Sequence, residues 1–245
     1  MSDRQSQLTN SRPLFIAHRG ASTEAPENTL AAFRRALALG ADGIELDVRV
    51  TRDGEAVVFH DATLTRLAGR RGRLARLLFR ELREIRIQGE PIPTLAEVLA
   101  LARRRTVVQI EIKRGVAVAP VVRALHQARA DTGVVLASFD AAIVAASRRL
   151  APRIPRMLIT GGGGRGWAET LVPVLAALGA VGVSVDHRAI RSPAFVTALH
   201  RCGLCVWCWT VNDTRAMLRL ASWGVDAILS DNPALLKSTL AGSDR

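Results

Sequence analysis

Glu45 and Asp47 sit two residues apart in the run GIELDVRV, and Glu111 and Lys113 repeat that spacing in VVQIEIKRG. Side chains alternate along a strand, so each pair projects from one face of its strand. Glu45 and Asp47 lie among Ile44, Leu46 and Val48, which point the other way. Carboxylates placed in such apolar surroundings need a charge partner. A divalent cation would serve, and an all-oxygen ligand set suits Mg2+ or Ca2+ rather than zinc. The competing reading pairs one carboxylate with an arginine and leaves the other at a rim. Glu111 can complete a three-carboxylate set. Lys113, farther along its strand, can hold a phosphate oxygen as a compact cation or pair internally with Glu111.

The chain has five histidines, and two of them, His18 and His60, end short apolar runs near these carboxylates. Such a pair is suited to proton transfer near neutral pH. Either could instead bind metal or serve as a structural hydrogen bonder. Arg19 offers a planar fork to a phosphate. Glu27 and Asn28 follow in the loop after the first strand and are expected at the same mouth. Asp186 and His187, at another strand end, are weaker candidates for a substrate contact.

These residues need strands to carry them. Leu14 to Ala17 is a short apolar run bounded by Pro13 and Gly20, which predicts a buried strand. Asn28 or Thr29 can cap a helix with Leu30, Phe33 and Leu37 on one face and Gly40 at its end. Gly43 to Val50 is the second strand, turned at Asp53-Gly54 and returning through Val57 to Phe59. Residues 61–92 are irregular and basic, with a short helix expected at 74–82. Beyond Pro93 the pattern predicts helices at 94–104, 118–129, 140–150, 168–178, 193–201, 213–222 and 232–239. Strands are expected at 106–112, 134–138, 154–159, 181–185, 204–209 and 226–229. Strands without strict alternation are buried on both faces, as a parallel sheet requires. Eight strand–helix units predict an α/β fold, a (β/α)8 TIM barrel with a short insertion after the second strand hairpin, covering residues 12–241 as one domain. An open doubly wound sheet is the alternative. In a barrel the strand C-termini form the active face. That face would collect the residues above with Ser138, Trp207, Trp209 and Asp231.

Composition narrows the classes. Hydrophobic content of 49% supplies a sizeable core. No apolar run reaches the roughly 18 residues of a membrane span. The polar opening MSDRQSQLTNSR does not resemble a signal peptide. Three cysteines cannot complete a disulfide framework, so a cytoplasmic location is expected. The net charge of +12 is almost all arginine, with runs at 70–73 and 103–105. No aromatic-interleaved basic stripe accompanies it, which argues against nucleic acid as the main partner and for a phosphorylated small molecule. Leu77, Leu78 and Phe79 beside the arginines allow peripheral contact with an anionic membrane, against a packed short helix. The sequence carries no sign of oligomeric state.

Other signals carry less. Cys202, Cys205 and Cys208 are expected to be buried thiols, because alternation puts Cys205 and Cys208 on opposite faces. The glycines at 161–164 lack the Lys-Ser/Thr of a nucleotide loop. His126 and His200 fall on helices away from the mouth. Trp207 and Trp209 share a face, and Asp231 is placed to cap the last helix.

The combination resembles the glycerophosphodiester phosphodiesterase family. The likeness rests on HRG at 18–20, PENTLAAF at 26–33, GADGIELDV at 40–48 and TRDGEAVVFHD at 51–61. It continues in IPTLAEVL at 92–99, IEIK at 110–113, SF at 138–139, WTVN at 209–212 and SDNP at 230–233. The resemblance implies a barrel hydrolysing glycerophosphodiesters to glycerol 3-phosphate and an alcohol. It implies that Glu45, Asp47 and Glu111 bind a divalent cation and that His18 and His60 handle protons. Arg19 and Lys113 would stabilise phosphoryl oxygens, and Trp209 would line the glycerol side. The alternatives are a phosphodiesterase acting on lysophospholipids and a noncatalytic barrel that binds anions or nucleic acid. The family's inserted lobe is here compact and arginine-rich.

Overall fold

The computed structural model describes residues 12–102, 106–130, 132–162 and 166–241. The polar opening (residues 1–11), the arginine run at 103–105 and part of the glycine run, 163–164, lie outside the described residues. Eight parallel strands form the barrel: β1 Leu14–His18, β2 Gly43–Val50, β3 Val107–Ile112, β4 Val134–Ser138, β5 Arg156–Thr160, β6 Gly182–Asp186, β7 Cys205–Trp209 and β8 Ala227–Ser230. Each strand pairs with its sequence neighbours, and β1 pairs with both β2 and β8, which closes the ring. The expected (β/α)8 barrel is therefore the fold, and the open sheet is excluded.

The outer ring is α1 Leu30–Ala38, α2 Leu95–Ala102, α3 Val118–Gln127, α4 Ala141–Leu150, α5 Trp167–Leu178, α6 Pro193–Arg201, α7 Thr214–Ser222 and α8 Pro233–Ala241. Strand alternation sorts two cores. Leu14, Ile16, Val135, Ala137, Met157, Ile159, Cys205, Trp207, Ala227 and Leu229 fill one cluster, the barrel interior. Ala17, Ile44, Leu46, Val48 and their counterparts on later strands pack against the helices. Each fully buried large aliphatic side chain contributes roughly 1.5–3 kcal/mol. That scaffold offsets the cost of the polar cluster at one end of the barrel. Trp207 is wholly buried and belongs to the interior. Cys205 and Cys208 are buried free thiols in different clusters, and Cys202 is an exposed free thiol, not the buried one expected.

The start of α1 is built for the site. Thr29 caps it, its Oγ1 accepting from the Ala32 N–H at 3.2 Å. Gly20 lies at φ +84°, and a Cβ there would sit 2.7 Å from Ala32 backbone and side-chain carbons. Only glycine lets the loop after β1 lie this close to α1. Gly20→Ala is therefore expected to destabilise the fold by roughly 1–3 kcal/mol through strain and overpacking. Denaturant unfolding measures it, and an unchanged midpoint would contradict this account.

Between β2 and α2 the chain makes its insertion. Ala56–Val58 returns antiparallel to β2, and Arg86–Ile87 pairs with Glu90–Pro91 as a small hairpin. The single helix expected at 74–82 is broken. Leu74–Arg76 is one 3-10 turn and Phe79–Leu82 one α turn, because Leu77 and Leu78 are extended. Val57, Phe59, Leu64, Leu74, Leu82, Ile85, Ile87 and Ile92 form a local core, with Leu77 and Phe79 packed on it. The arginines outside it are the solvated face of a folded lobe. Among the described residues no helix is long and apolar enough to cross a membrane.

Candidate active site

Parallel register assembles the cluster. His18 on β1 lies beside Glu45 on β2, and Asp47 lies beside Glu111 on β3. Ligand oxygens of Glu45, Asp47 and Glu111 fall within 4.8 Å of one another, all on buried residues. Three like charges this close in a low-dielectric site repel strongly. Lys113 answers part of the charge, its Nζ lying 2.6 Å from both Asp47 Oδ1 and Glu111 Oε1. Arg19 answers more, with Nε 3.3 Å from Asp47 Oδ2 and its backbone N–H donating to Glu45 Oε2 at 3.0 Å. Lys113 thus makes the internal pair weighed from sequence, and it does so at the cleft.

The carboxylates respond unequally. Burial would raise Asp47, but Lys113 and Arg19 hold it down to about 2. Glu45 lacks a cation at ion-pair contact apart from the His18 ring, whose Nε2 is 3.9 Å away. Burial and repulsion from Asp47 push Glu45 up to about 7. Burial and Asp47 raise Glu111 as well. The cluster therefore has room for more positive charge, and its donors are all hard oxygens. Both features fit a divalent cation.

Each histidine is oriented by a carboxylate. His18 Nδ1 lies 2.7 Å from Asp231 Oδ1, and His60 Nδ1 lies 2.6 Å from Asp61 Oδ1. A carboxylate there holds the Nδ1–H, so Nε2 is the ring nitrogen left for chemistry. Burial opposes the charge on His18, but the Asp231 hydrogen bond and nearby Glu45 raise its pKa overall. Burial lowers that of His60. Asp231 is not the cap of α8. Asn232 does that, its Oδ1 accepting from Leu235 N at 2.9 Å. Asp231 also accepts from Ser22 and Asn212.

Arg19 and Asn28 are non-glycine residues in left-handed backbone, at φ +57° and +59°. Such conformations cost of order 1–3 kcal/mol and persist where surroundings enforce them. Here the enforcement comes from the site. Asn28 N donates to Arg19 O at 3.0 Å, and Asn28 Nδ2 donates to Asp47 Oδ2 at 2.7 Å. The Asp47 N–H donates back to Asn28 Oδ1 at 3.2 Å. Glu27 accepts from Arg19 NH1 at 2.9 Å. Asn28 and Glu27 support the cluster from behind and are not among the residues lining the cleft.

His18, Arg19, Glu45, His60, Gln109, Glu111, Lys113, Phe139, Ser184 and Trp209 are among the lining residues of a cleft of about 140 Å³. Outer grooves of about 640 and 670 Å³ are larger but hold none of the three carboxylates. Trp209 stands at the wall, edge-on to Phe139 with ring centres 5.6 Å apart. Asp186 and His187 do not line the cleft. Arg188 holds the Asp186 carboxylate at 2.6 Å and lowers its pKa, so neither residue is retained for the site. Ser138 is buried, donating to Ile112 O at 2.7 Å. Asp61 and Arg66 escaped sequence reasoning. Asp61 sits next to His60, which was a usable signal, whereas Arg66 looked like one more arginine of a basic segment.

A closed parallel barrel that gathers three carboxylates, two carboxylate-backed histidines, a buried lysine and a half-buried arginine at its mouth is a hydrolase architecture for a small anionic substrate. The model of the glycerophosphoryl diester phosphodiesterase family matches residues 18–235, and the chain belongs to that family. It is 33% identical over 240 residues to a glycerophosphodiester phosphodiesterase of Caldanaerobacter subterraneus subsp. tengcongensis, covering 92% of this chain and 96% of the relative. A solved Oleispira antarctica phosphodiesterase, in complex with the product sn-glycerol-3-phosphate, superposes with a TM-score of 0.86. The two are 29% identical, with 94% of this chain and 97% of that one covered. The glycerophosphodiester phosphodiesterase of Agrobacterium tumefaciens gives a TM-score of 0.81 at 29% identity, covering 92% and 99%.

Proposed function

We propose that the protein hydrolyses small glycerophosphodiesters to glycerol 3-phosphate and an alcohol. The observation that carries this reading is the convergence of His18–Asp231 and His60–Asp61 with the Glu45–Asp47–Glu111 cluster on one cleft. Glu45, Asp47 and Glu111 would hold Mg2+ or Ca2+, which supplies charge neutralisation for a phosphodiester anion. Arg19 and Lys113 add fixed positive charge where the nonbridging oxygens gain negative charge. One histidine Nε2 takes the proton of the attacking hydroxyl, from water or from the substrate's own glycerol. The P–O bond to the alcohol breaks, and the other Nε2 gives that oxygen its proton. Attack by water gives glycerol 3-phosphate directly. Attack by the glycerol hydroxyl gives a cyclic phosphate, which a water must then open with the two histidines in exchanged roles, one taking the water's proton and the other protonating the departing glycerol oxygen.

Trp209 supports a glycerol-side wall, since it lines the cleft while Trp207 is buried below it. The cleft, at about 140 Å³, is much smaller than the outer grooves of about 640 and 670 Å³. It suits the glycerophosphoryl part and leaves the alcohol outside. A cytoplasmic location fits three free cysteines. The test is a panel assay of glycerol 3-phosphate release from glycerophosphodiesters with different alcohols and from a lysophospholipid. Release from several diesters at comparable kcat/KM is expected. Turnover of the lysophospholipid alone would replace this substrate class, and no turnover of any diester would remove it.

A further inference from the structure

Arg66 stands in the insertion, on the one-turn helix Thr65–Ala68, and its side chain is about half exposed. It makes four hydrogen bonds to two carboxylates that belong to different parts of the chain. Nε and NH2 donate to Asp61 Oδ2 and Oδ1 at 2.8 and 3.0 Å. NH1 and NH2 donate to Glu27 Oε2 and Oε1 at 2.9 Å each. Both carboxylates also face inward. Asp61 Oδ1 is the oxygen bonded to His60 Nδ1 at 2.6 Å, and Glu27 Oε1 is the oxygen that accepts from Arg19 NH1 at 2.9 Å. The result is an unbroken run, His60–Asp61–Arg66–Glu27–Arg19, with no link longer than 3.0 Å. Arg49 Nε also donates to the His60 backbone carbonyl at 2.8 Å.

We propose that Arg66 is a positioning residue that ties His60 and Arg19 into one unit through Asp61 and Glu27. The inference rests on the function proposed above for those two side chains. A guanidinium fork can serve two carboxylates along two of its edges at once, and a lysine ammonium cannot reproduce that geometry. Stability does not account for the arrangement. Half-exposed ion pairs add little to folding, and the insertion has its own apolar core. Geometry does account for it. His60 lies two residues past the return strand Ala56–Val58 and Arg19 one residue past β1 in left-handed backbone, so both stand beyond the ends of the strands that β2 joins. Arg66 holds them in register with each other across the cleft. The arginine-rich insertion thereby acts on the reaction from outside the cleft.

The experiment compares the full chain with Arg66→Ala and Arg66→Lys. Loss of orientation at a reacting group costs on the order of ten- to a hundred-fold in rate, so kcat/KM is expected to fall by about that much in both. The melting temperature should hold, and millimolar guanidinium should restore part of the activity of Arg66→Ala but none in Arg66→Lys. The deciding readout does not need turnover. The His60 ring N–H signal in a proton–nitrogen NMR spectrum, assigned by its loss in His60→Asn, should shift or broaden in Arg66→Ala while that of His18 stays. An unchanged His60 signal overturns the proposal whatever the rates. So does an activity loss that merely follows the unfolded fraction. A parent chain inactive on every diester would instead sink the assigned function, while the His60 spectrum would still decide the role of Arg66.

Discussion

Treatment with EDTA is expected to abolish glycerol 3-phosphate release, and Mg2+ or Ca2+ to restore it. The expectation comes from charge. Three carboxylates share a buried volume in which their oxygens lie within 4.8 Å. Lys113 and Arg19 compensate Asp47 fully, but Glu45 is left so exposed to repulsion that it is pushed up to about 7. A cation relieves that repulsion and needs the ligand deprotonated. The sign follows. Above pH 7 Glu45 is already ionised and cation binding releases no proton from it. Below pH 7 a proton must leave, so apparent cation affinity falls by up to tenfold per pH unit from this group. Asp47→Asn and Glu45→Gln should each lose cation binding measured by calorimetry, and with it on the order of 10³-fold or more in kcat, comparable to removing a main electrostatic stabiliser. Full activity in EDTA, or equal affinity at pH 6 and pH 8, would sink the assignment.

The fold was legible because its signals are local. The apolar run ending at His18, the strand opening at Gly43, the regular pattern beyond Pro93 and the turn residues between them place the elements without any long-range information. The carboxylate cluster was legible for a related reason. Period-two spacing puts Glu45 with Asp47 and Glu111 with Lys113 on single faces, and a closed parallel barrel then has to bring those faces together. Partnership between distant residues was not legible. Asp231 is 213 residues from His18, and its place before α8 looks like a cap until Asn232 is seen to do that work. The internal Lys113 pair could not be separated from a substrate role, since both require the same inward face. Asp186 and His187 stand apart from the residues lining the cleft, and Asp186 is held by Arg188 two residues on. The helix expected at 74–82 is two short turns instead, because the chain uses the extended Leu77 and Leu78 to turn the lobe back on its core.

His18→Ala and His60→Ala are each expected to lower kcat by on the order of 10²–10⁴-fold with the fold retained. Retention follows from the partners left behind. Without the His18 ring, Asp231 still accepts from Ser22 and Asn212 Nδ2. Without the His60 ring, Asp61 still accepts two bonds from Arg66. Glu45 loses the nearby His18 ring in His18→Ala but keeps the Arg19 backbone N–H on Oε2 at 3.0 Å, so neither substitution leaves a carboxylate without a donor, the usual cause of large destabilisation. The two variants should then part company on leaving-group chemistry. A histidine that protonates the departing alcohol matters less when that alcohol is already acidic. On a p-nitrophenyl diester of glycerol phosphate, the variant lacking the acid should recover most of its loss, and the variant lacking the base should not. Burial lowers the pKa of His60, whereas Asp231 and Glu45 raise that of His18. A base must begin unprotonated and an acid protonated, so recovery is expected in His18→Ala and continued loss in His60→Ala. Equal recovery in both would mean that the two rings do not divide the proton transfers. Parent-like rates in both would remove the histidines from the chemistry altogether.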